Sequence, residues 1–123
     1  MLNYNSTLLS TENLKELTQF YKQVFQKDPD MSDENYVGFM VGSAFFGLGA
    51  HDKITGKNPN PDRILFNFET DDVTGEFARI KKLGAQVIKE PYTMPGYEKF
   101  WIATLADPDG NYFQLVTPWE ENK

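Results

Sequence analysis

Two stretches of the chain hold residue types and spacings that could bind ions. The stretch Gly49–Lys57, GAHDKITGK, has the glycines and the lysine of a phosphate-binding loop, but six residues separate its glycines where that motif has four, and Asn58 replaces Ser or Thr. The stretch that begins at Asp28, DPDMSDE, has the alternating acids of a calcium loop. However, Asp33 occupies the position that requires Gly, and Phe39 occupies that of the bidentate Glu. Neither stretch therefore predicts the chemistry that it resembles.

Composition limits which other side chains could do chemistry. The chain has no Cys, which excludes thiolate metal sites and a cysteine nucleophile, and its single His, His51, stands beside a loop-like segment. The net charge is −6 and the basic residues are scattered, so we expect no nucleic-acid partner, because such binding depends on neutralising phosphates. No apolar run reaches the roughly 18 residues of a membrane span. We expect a cytoplasmic protein with no membrane partner.

Hydrophobic periodicity predicts two helices in a chain of 123 residues that is long enough for one core. The first is predicted to start at Thr11 as its N-cap and to run to about Gln26. The second is predicted to start at Thr70 or Asp71 and to stop at Gly84. The predicted apolar stripes are Leu14, Leu17, Tyr21, Val24 and Phe25 in the first helix, and Val73, Phe77, Ile80 and Leu83 in the second.

Runs of β-prone residues between turn residues predict the strands. They cover residues 5–10, 36–41, 44–49, 63–69, 86–90, 101–105 and 112–116. Pro91 is expected to end the strand 86–90, and a loop is expected to follow over 92–97. The turn DPDGN at 107–111 is expected to close a final hairpin whose second strand carries Gln114.

The two halves of the chain share a pattern at an offset of 59 residues. TENL at Thr11–Leu14 aligns with TDDV at Thr70–Val73, and each half begins with a strand, a Thr, an acidic turn and an amphipathic helix. Self-similarity at a fixed offset is typical of a duplicated unit. The sequence therefore predicts an α+β fold of two βαβββ modules, with module 1 at about 1–50, a linker at 51–62 and module 2 at 63–119.

With this order of elements, the chain resembles the vicinal oxygen chelate superfamily of glyoxalase, bleomycin-resistance and extradiol-dioxygenase proteins. The resemblance is carried by NLKELTQFY, FNFETDDV and ADPDGNYFQLV, which stand at the first helix, at the start of the second half and in the final hairpin. It implies a curved mixed sheet with a concave cup inside, helices outside, and a homodimer. In metal-dependent members, four side chains in the cup hold a divalent ion.

The residues at the four implied ligand positions do not favour a metal. The resemblance places them at Ser6, about Gly47, Leu65 and Gln114. Only Gln114 has a side chain suited to coordination, and a neutral amide alone is a weak site for a transition metal. We therefore expect neither a metal nor another cofactor, and no residue is assigned a catalytic role.

Side-chain alternation then suggests what would line the cup. If Leu65 and Gln114 point inward, their alternating neighbours do so too, and Ile64, Phe66, Phe68, Phe113 and Leu115 face the helices. The predicted ligand-binding residues are Ser6, Leu8, Phe45, Leu65, Asn67, Glu69, Phe100, Ile102, Tyr112 and Gln114, with Arg63, Thr104 and Val116 beside them. Trp101 is an equal alternative in the penultimate strand. For each aromatic residue, core filling and ligand contact remain open.

Two functions follow from this resemblance. The first is a metal-independent protein related to the glyoxalase and bleomycin-resistance proteins, which binds a small, partly aromatic or cationic molecule in the cup. The second is a glyoxalase-like lyase or isomerase, or a dioxygenase-related enzyme, with a displaced metal site that recruits His51 and Glu69. The missing ligands favour the first hypothesis.

Overall fold

A computed structural model describes residues 1–119. The elements in chain order are β1 (Ser6–Thr11), α1 (Leu14–Phe25), β2 (Met31–Ser32), β3 (Tyr36–Val41), β4 (Ala44–Ala50), a 3₁₀ turn (Pro61–Arg63), β5 (Phe66–Glu69), α2 (Val73–Lys82), β6 (Gln86–Met94), β7 (Tyr97–Ala106) and β8 (Tyr112–Val116). The chain divides into two compact units, Met1–Gly56 and Lys57–Lys123. No helix within residues 1–119 is long and apolar enough to cross a membrane.

Both units have the same topology. Unit 1 contains sheet A, with strand order β1-β4-β3-β2, and unit 2 contains sheet B, with order β5-β8-β7-β6. In each sheet the first strand pairs parallel with the last, and the remaining pairs are antiparallel. The predicted α+β fold of two βαβββ modules is confirmed.

The same side-chain hydrogen bond precedes both helices, and it shows that the predicted N-caps are wrong. The Thr11 hydroxyl accepts a hydrogen bond from the N–H of Asn13 (2.9 Å), and the Thr70 hydroxyl accepts one from the N–H of Asp72 (3.1 Å). Each Thr therefore bonds two residues ahead and holds the strand end, so that the helix starts later. The N-caps are Asn13 and Asp72, not Thr11 and not Thr70 or Asp71.

Each helix covers one face of its own sheet. The buried residues of α1 are Leu17, Phe20, Tyr21 and Val24, and they pack with Val37, Phe39, Phe46 and Leu48 of sheet A. Tyr21 and Phe46 meet edge to face, with ring centroids 4.9 Å apart. Phe20 is buried although the predicted stripe omits it, whereas Leu14 and Phe25 are half-buried.

In unit 2, α2 packs its apolar side in the same way. Val73, Phe77 and Ile80 are buried in α2, and Leu105, Phe113 and Leu115 are buried in sheet B. The predicted stop at Gly84 is confirmed, because Gly84 follows the C-cap residue Leu83 with a φ of 98°. Leu83 itself is 38% exposed, since the helix has already ended there.

Two predicted strands have different bounds. The strand predicted over 63–69 starts only at Phe66, because Pro61 begins a 3₁₀ turn in which the Arg63 N–H donates to the Asn60 carbonyl (3.1 Å). Arg63, Ile64 and Leu65 are therefore outside the strand and exposed. The prediction that Ile64 lies on the helix-covered face is therefore wrong.

The second difference concerns Pro91. It does not end its strand, because β6 continues through it to Met94. An edge strand such as β6 tolerates Pro, since only one of its sides needs backbone donors. The predicted loop over 92–97 is consequently wrong, because those residues form the end of β6, a tight turn with Gly96 at a φ of 88°, and the start of β7.

The two N-caps allow a matched test of helix capping. The Asp72 carboxylate accepts a hydrogen bond from the Gly75 N–H (3.0 Å), whereas the Asn13 side chain makes no capping bond. We expect Asp72→Ala to lower the free energy of unfolding by about 1 kcal/mol, measured by urea denaturation. Asn13→Ala should lower it by less than about half that amount. Equal losses in the two variants would contradict this account.

Candidate functional site

The DPDGN turn is organised by one buried carboxylate. Asp107 is 4% exposed, and one of its oxygens accepts hydrogen bonds from the N–H groups of Asp109 and Asn111, each 2.9 Å long. Its other oxygen accepts from the Asn111 side-chain amide (2.9 Å). Gly110, with a φ of 79°, completes the turn. The predicted final hairpin is confirmed, and this carboxylate holds it in register.

Asn58 ties the turn to the chain before β5. Its N–H donates to the Asp109 carbonyl (2.8 Å), and its side-chain amide donates to the Asn111 side-chain oxygen (3.0 Å). Both the hairpin tip and the segment that leads into β5 are thereby held together within unit 2. These hydrogen bonds thereby help to fix the register of β8 against β5 and β7.

That register builds a row of polar side chains across sheet B. Asn67 of β5 pairs with Gln114 of β8, which pairs with Thr104 of β7. The Gln114 amide donates to the Thr104 hydroxyl (3.2 Å). Because Phe113 and Leu115 face α2, alternation puts this row on the face of sheet B that α2 does not cover, which we call open face B.

The other predicted residues of unit 2 divide between the faces. Register and alternation place Glu69, Tyr112, Val116, Phe100 and Ile102 on open face B with Gln114. Leu65 precedes β5 and is 40% exposed. Trp101, whose direction the sequence leaves open, alternates with Ile102 and therefore lies on the other side of β7, where it is 39% exposed. Phe100 contacts the Trp119 ring edge to face, with centroids 5.9 Å apart.

In unit 1, the side of sheet A that α1 does not cover forms open face A. It presents Ser6 and Leu8 of β1 and Phe45 of β4, the three residues predicted there. The pairings add Tyr36 and Met40 of β3 to the same face. Leu8 and Met40 are exposed, whereas Phe45 and Tyr36 are half-buried.

Glycines form the floor of open face A. Gly38 and Gly47 are directly paired across β3 and β4, and Gly49 follows on the same side of β4. A Cβ atom at Gly47 would lie within 3.0 Å of the Tyr36 side chain, and one at Gly38 would lie within 3.0 Å of the Phe45 ring. The two aromatic rings therefore rest on glycine backbone, which the sequence reasoning missed. Glycines at alternating strand positions, which often mark a close approach, were the available signal.

Asp30 and Lys27 form an ion pair at the end of β3. Asp30 accepts hydrogen bonds from the Lys27 ammonium and the Met40 N–H, both 2.7 Å long. These bonds hold the pKa of the Asp30 carboxyl below its usual value, with the Lys27 bond as the larger cause. The pair fixes the end of β3, since Lys27 also donates to the Met40 carbonyl (2.9 Å).

His51 follows β4 in a turn of its own. Its Nδ1 accepts a hydrogen bond from the Lys53 N–H (3.1 Å), and its N–H donates to the Thr11 carbonyl (3.0 Å). Gly56, at the end of this turn, donates to the Glu12 carboxylate, which therefore serves the loop and not the first turn of α1. Among residues 1–119, no three His, Asp or Glu side chains lie close enough together to hold a metal ion.

Comparison with known proteins identifies the family. Residues 6–116 match the family model of the glyoxalase-like domain. The chain belongs to this family. The resemblance to the vicinal oxygen chelate superfamily that the sequence suggests is thereby confirmed.

One sequence relative of this glyoxalase-like chain is a resistance protein, and several solved structures share its fold. The phenazine antibiotic resistance protein EhpR of Enterobacter agglomerans is 29% identical over 117 residues, which cover 90% of this chain and 88% of that protein. A glyoxalase/bleomycin resistance protein/dioxygenase family enzyme from Burkholderia phytofirmans superposes with a TM-score of 0.77 at 22% identity, covering 94% of this chain and 98% of the other. The fosfomycin resistance protein FosX of Mesorhizobium loti gives 0.70 at 18% identity, covering 97% and 92%. These two structures establish the fold alone.

The residues that the resemblance places at the metal-ligand positions do not fit a metal. Ser6 and Gly47 offer no imidazole or carboxylate, and Leu65 is apolar and precedes its strand. The Gln114 amide is engaged with Thr104. At Gly47 the space that a ligand side chain would need is occupied by the Tyr36 side chain. A catalytic metal site usually has three protein ligands, which this set does not supply.

This donor set predicts no specific metal binding. Adding Ni²⁺, Zn²⁺ or Mn²⁺ at about tenfold excess over the protein should shift its melting temperature by less than about 1 °C, since only binding to the native state raises stability. The control is His51→Ala, which removes the single imidazole and should respond identically. A stoichiometric metal in protein purified without chelators, lost together with His51, would contradict the prediction and restore the displaced metal site.

The turn carboxylate predicts a large effect on stability. We expect Asp107→Ala to lower the free energy of unfolding by roughly 2–4 kcal/mol, because three donors lose their acceptor in a buried position. Asp62→Ala removes the same charge from an exposed position and should change stability by less than about 0.5 kcal/mol. Similar urea midpoints for the two variants would show that the turn does not depend on this carboxylate.

Proposed function

We propose that this glyoxalase-like protein binds a small, flat aromatic molecule without a metal and sequesters it, as the resemblance to the bleomycin-resistance proteins implies. The observation that carries the proposal is open face A, where Tyr36 and Phe45 lie over the paired glycines Gly47 and Gly38. The resemblance implies a metal ligand at about Gly47 in metal-dependent members, and here the Tyr36 side chain fills that space. Aromatic side chains held close to backbone offer large contact areas at little entropic cost. Such a surface suits a planar ligand better than it suits a coordinated ion.

Open face B, taken by itself, is a second candidate surface for small molecules, and it offers hydrogen-bonding groups. Asn67, Gln114 and Thr104 form a short polar row among Tyr112, Ile102 and Val116. Sites for small molecules are mostly apolar, with a few polar groups that orient the ligand. A neutral amide both donates and accepts, so the row suits carbonyl, amide or hydroxyl groups on the ligand.

The relative EhpR supports a class of ligand. Its name describes resistance to phenazine antibiotics, and phenazines are planar fused-ring molecules of the kind that the rings of open face A would accept. At 29% identity the relative suggests this class and does not identify a ligand. We propose a planar, partly aromatic ligand, including cationic forms because the chain carries a net charge of −6. A cytoplasmic location and a homodimer, of which the resemblance implies the homodimer, are part of this proposal.

Thermal shift and calorimetry with two planar probes test the proposal. Phenazine-1-carboxylic acid or the cation N-methylphenazinium, at a free concentration ten times its Kd, should raise stability by about 1.4 kcal/mol. For a chain of this size that corresponds to a rise in Tm of roughly 4–7 °C.

A matched non-planar acid separates stacking from general hydrophobic binding. Adamantane-1-carboxylic acid has similar apolar bulk but no flat face, and it should leave Tm unchanged. Two results would refute the proposed function: no stabilisation by either planar probe, or turnover of the methylglyoxal–glutathione adduct in the presence of added Ni²⁺ or Zn²⁺. Turnover would establish the alternative, a glyoxalase-like enzyme.

A further inference from the structure

Two aromatic side chains cross the β3–β4 ladder in opposite directions. Tyr36 of β3 is directly opposite Gly49 but reaches diagonally over Gly47, whose Cβ position is surrounded by three atoms of the Tyr36 side chain, Oη, Cζ and Cε1. Phe45 of β4 is directly opposite Met40 but reaches diagonally over Gly38. Because Gly38 and Gly47 are themselves paired, the two rings together cover one glycine pair.

The orientation of the Tyr36 ring follows from the atoms that face each glycine. Its Cδ1 atom is nearest to the Cβ position of Gly49, at 3.9 Å, whereas Cε1, Cζ and Oη face that of Gly47. The ring therefore extends along β4 from Gly49 towards Gly47, with its edge following the strand. Two residues of a strand span about 6.6 Å, which matches the length of a phenol.

The hydroxyl at the end of this ring is free to bind a ligand. Within residues 1–119 it makes no hydrogen bond to another side chain or backbone group. It sits where a side chain at position 47 would begin, and the ring that carries it is half-buried. A phenol hydroxyl both donates and accepts hydrogen bonds.

We infer that Tyr36 determines specificity on open face A: its hydroxyl donates a hydrogen bond to an oxygen at the edge of a flat aromatic ligand, whose ring stacks against Phe45. This inference rests on the proposed function and names the ligand chemistry that the site selects. The ligand is planar and carries a carboxylate or carbonyl oxygen on its rim. Gly47 is a positioning residue, because only the absence of a side chain lets the Tyr36 ring reach over it.

The glycine floor supplies variants that move one ring without unfolding the sheet. Gly47→Ala displaces Tyr36, and Gly38→Ala displaces Phe45, in each case by pressing on the far end of a flexible side chain. Ser43→Ala is the control on the same ladder, because Ser43 lies in the exposed β3–β4 turn and outside open face A. Tyr36→Phe removes the hydroxyl alone.

Calorimetry with phenazine-1-carboxylic acid and 1-methylphenazine gives the decisive readout. Wild type should prefer the acid, and Tyr36→Phe should bind the acid about threefold to tenfold more weakly while its affinity for 1-methylphenazine changes by less than about twofold. Gly47→Ala and Gly38→Ala should weaken both probes by about threefold to tenfold, because a stacked ring is lost. Ser43→Ala should stay within about twofold of wild type for both.

The outcomes separate the inference from the function on which it rests. If wild type binds neither phenazine, the proposed function and the inference both fail. If wild type binds but Tyr36→Phe and Gly47→Ala keep its affinities and its preference for the acid, the inference alone is overturned. Nuclear Overhauser contacts between the Tyr36 ring protons and the Gly49 α-protons, present in wild type and Ser43→Ala but absent in Gly47→Ala, confirm that the ring moved.

Discussion

The structure depends on a constraint that acts on each sheet separately: one face must be buried against a helix. Residues of a strand alternate between faces, so committing Phe113 and Leu115 to α2 leaves Gln114 on the opposite side. Phe46 and Leu48 likewise pack with α1, which leaves Phe45, Gly47 and Gly49 uncovered by it. The core therefore determines which residues lie on the open faces, and it does so without any ligand.

This constraint explains why part of the candidate site was predictable from the sequence. The pattern FNFE followed by YFQLV alternates so regularly that it predicts which side Asn67 and Gln114 occupy, and the structure agrees. The prediction failed at Arg63 and Leu65, because a propensity for strand over 63–69 could not anticipate that Pro61 begins a 3₁₀ turn. At Pro91 the predicted strand was too short instead of too long. The effect of Pro depends on whether β6 lies at an edge, which is a property of the whole sheet.

The aromatic floor of open face A could not be predicted from alternation. Tyr36 and Gly47 lie on different strands, and their contact is diagonal, so it depends on the β3–β4 register that the two-residue turn at 42–43 fixes. The sequence shows only that Gly47 has no side chain to coordinate a metal. The β3–β4 register shows in addition that the Tyr36 side chain fills the space above Gly47. The position therefore contributes an aromatic surface instead of a coordinating group.

The two modules share a strand order and a hydrogen bond before the helix, but their open faces differ. Thr11 and Thr70, 59 residues apart, make the same hydrogen bond before the helix, and both sheets share one strand order. Their open faces differ in chemistry, because sheet A presents rings over glycine, whereas sheet B presents amides and a hydroxyl. Aromatic rings favour stacking against flat apolar molecules, whereas amides and a hydroxyl favour hydrogen bonds. Two modules with one topology therefore present faces suited to different kinds of contact, because the positions that face away from each helix are not constrained by the core.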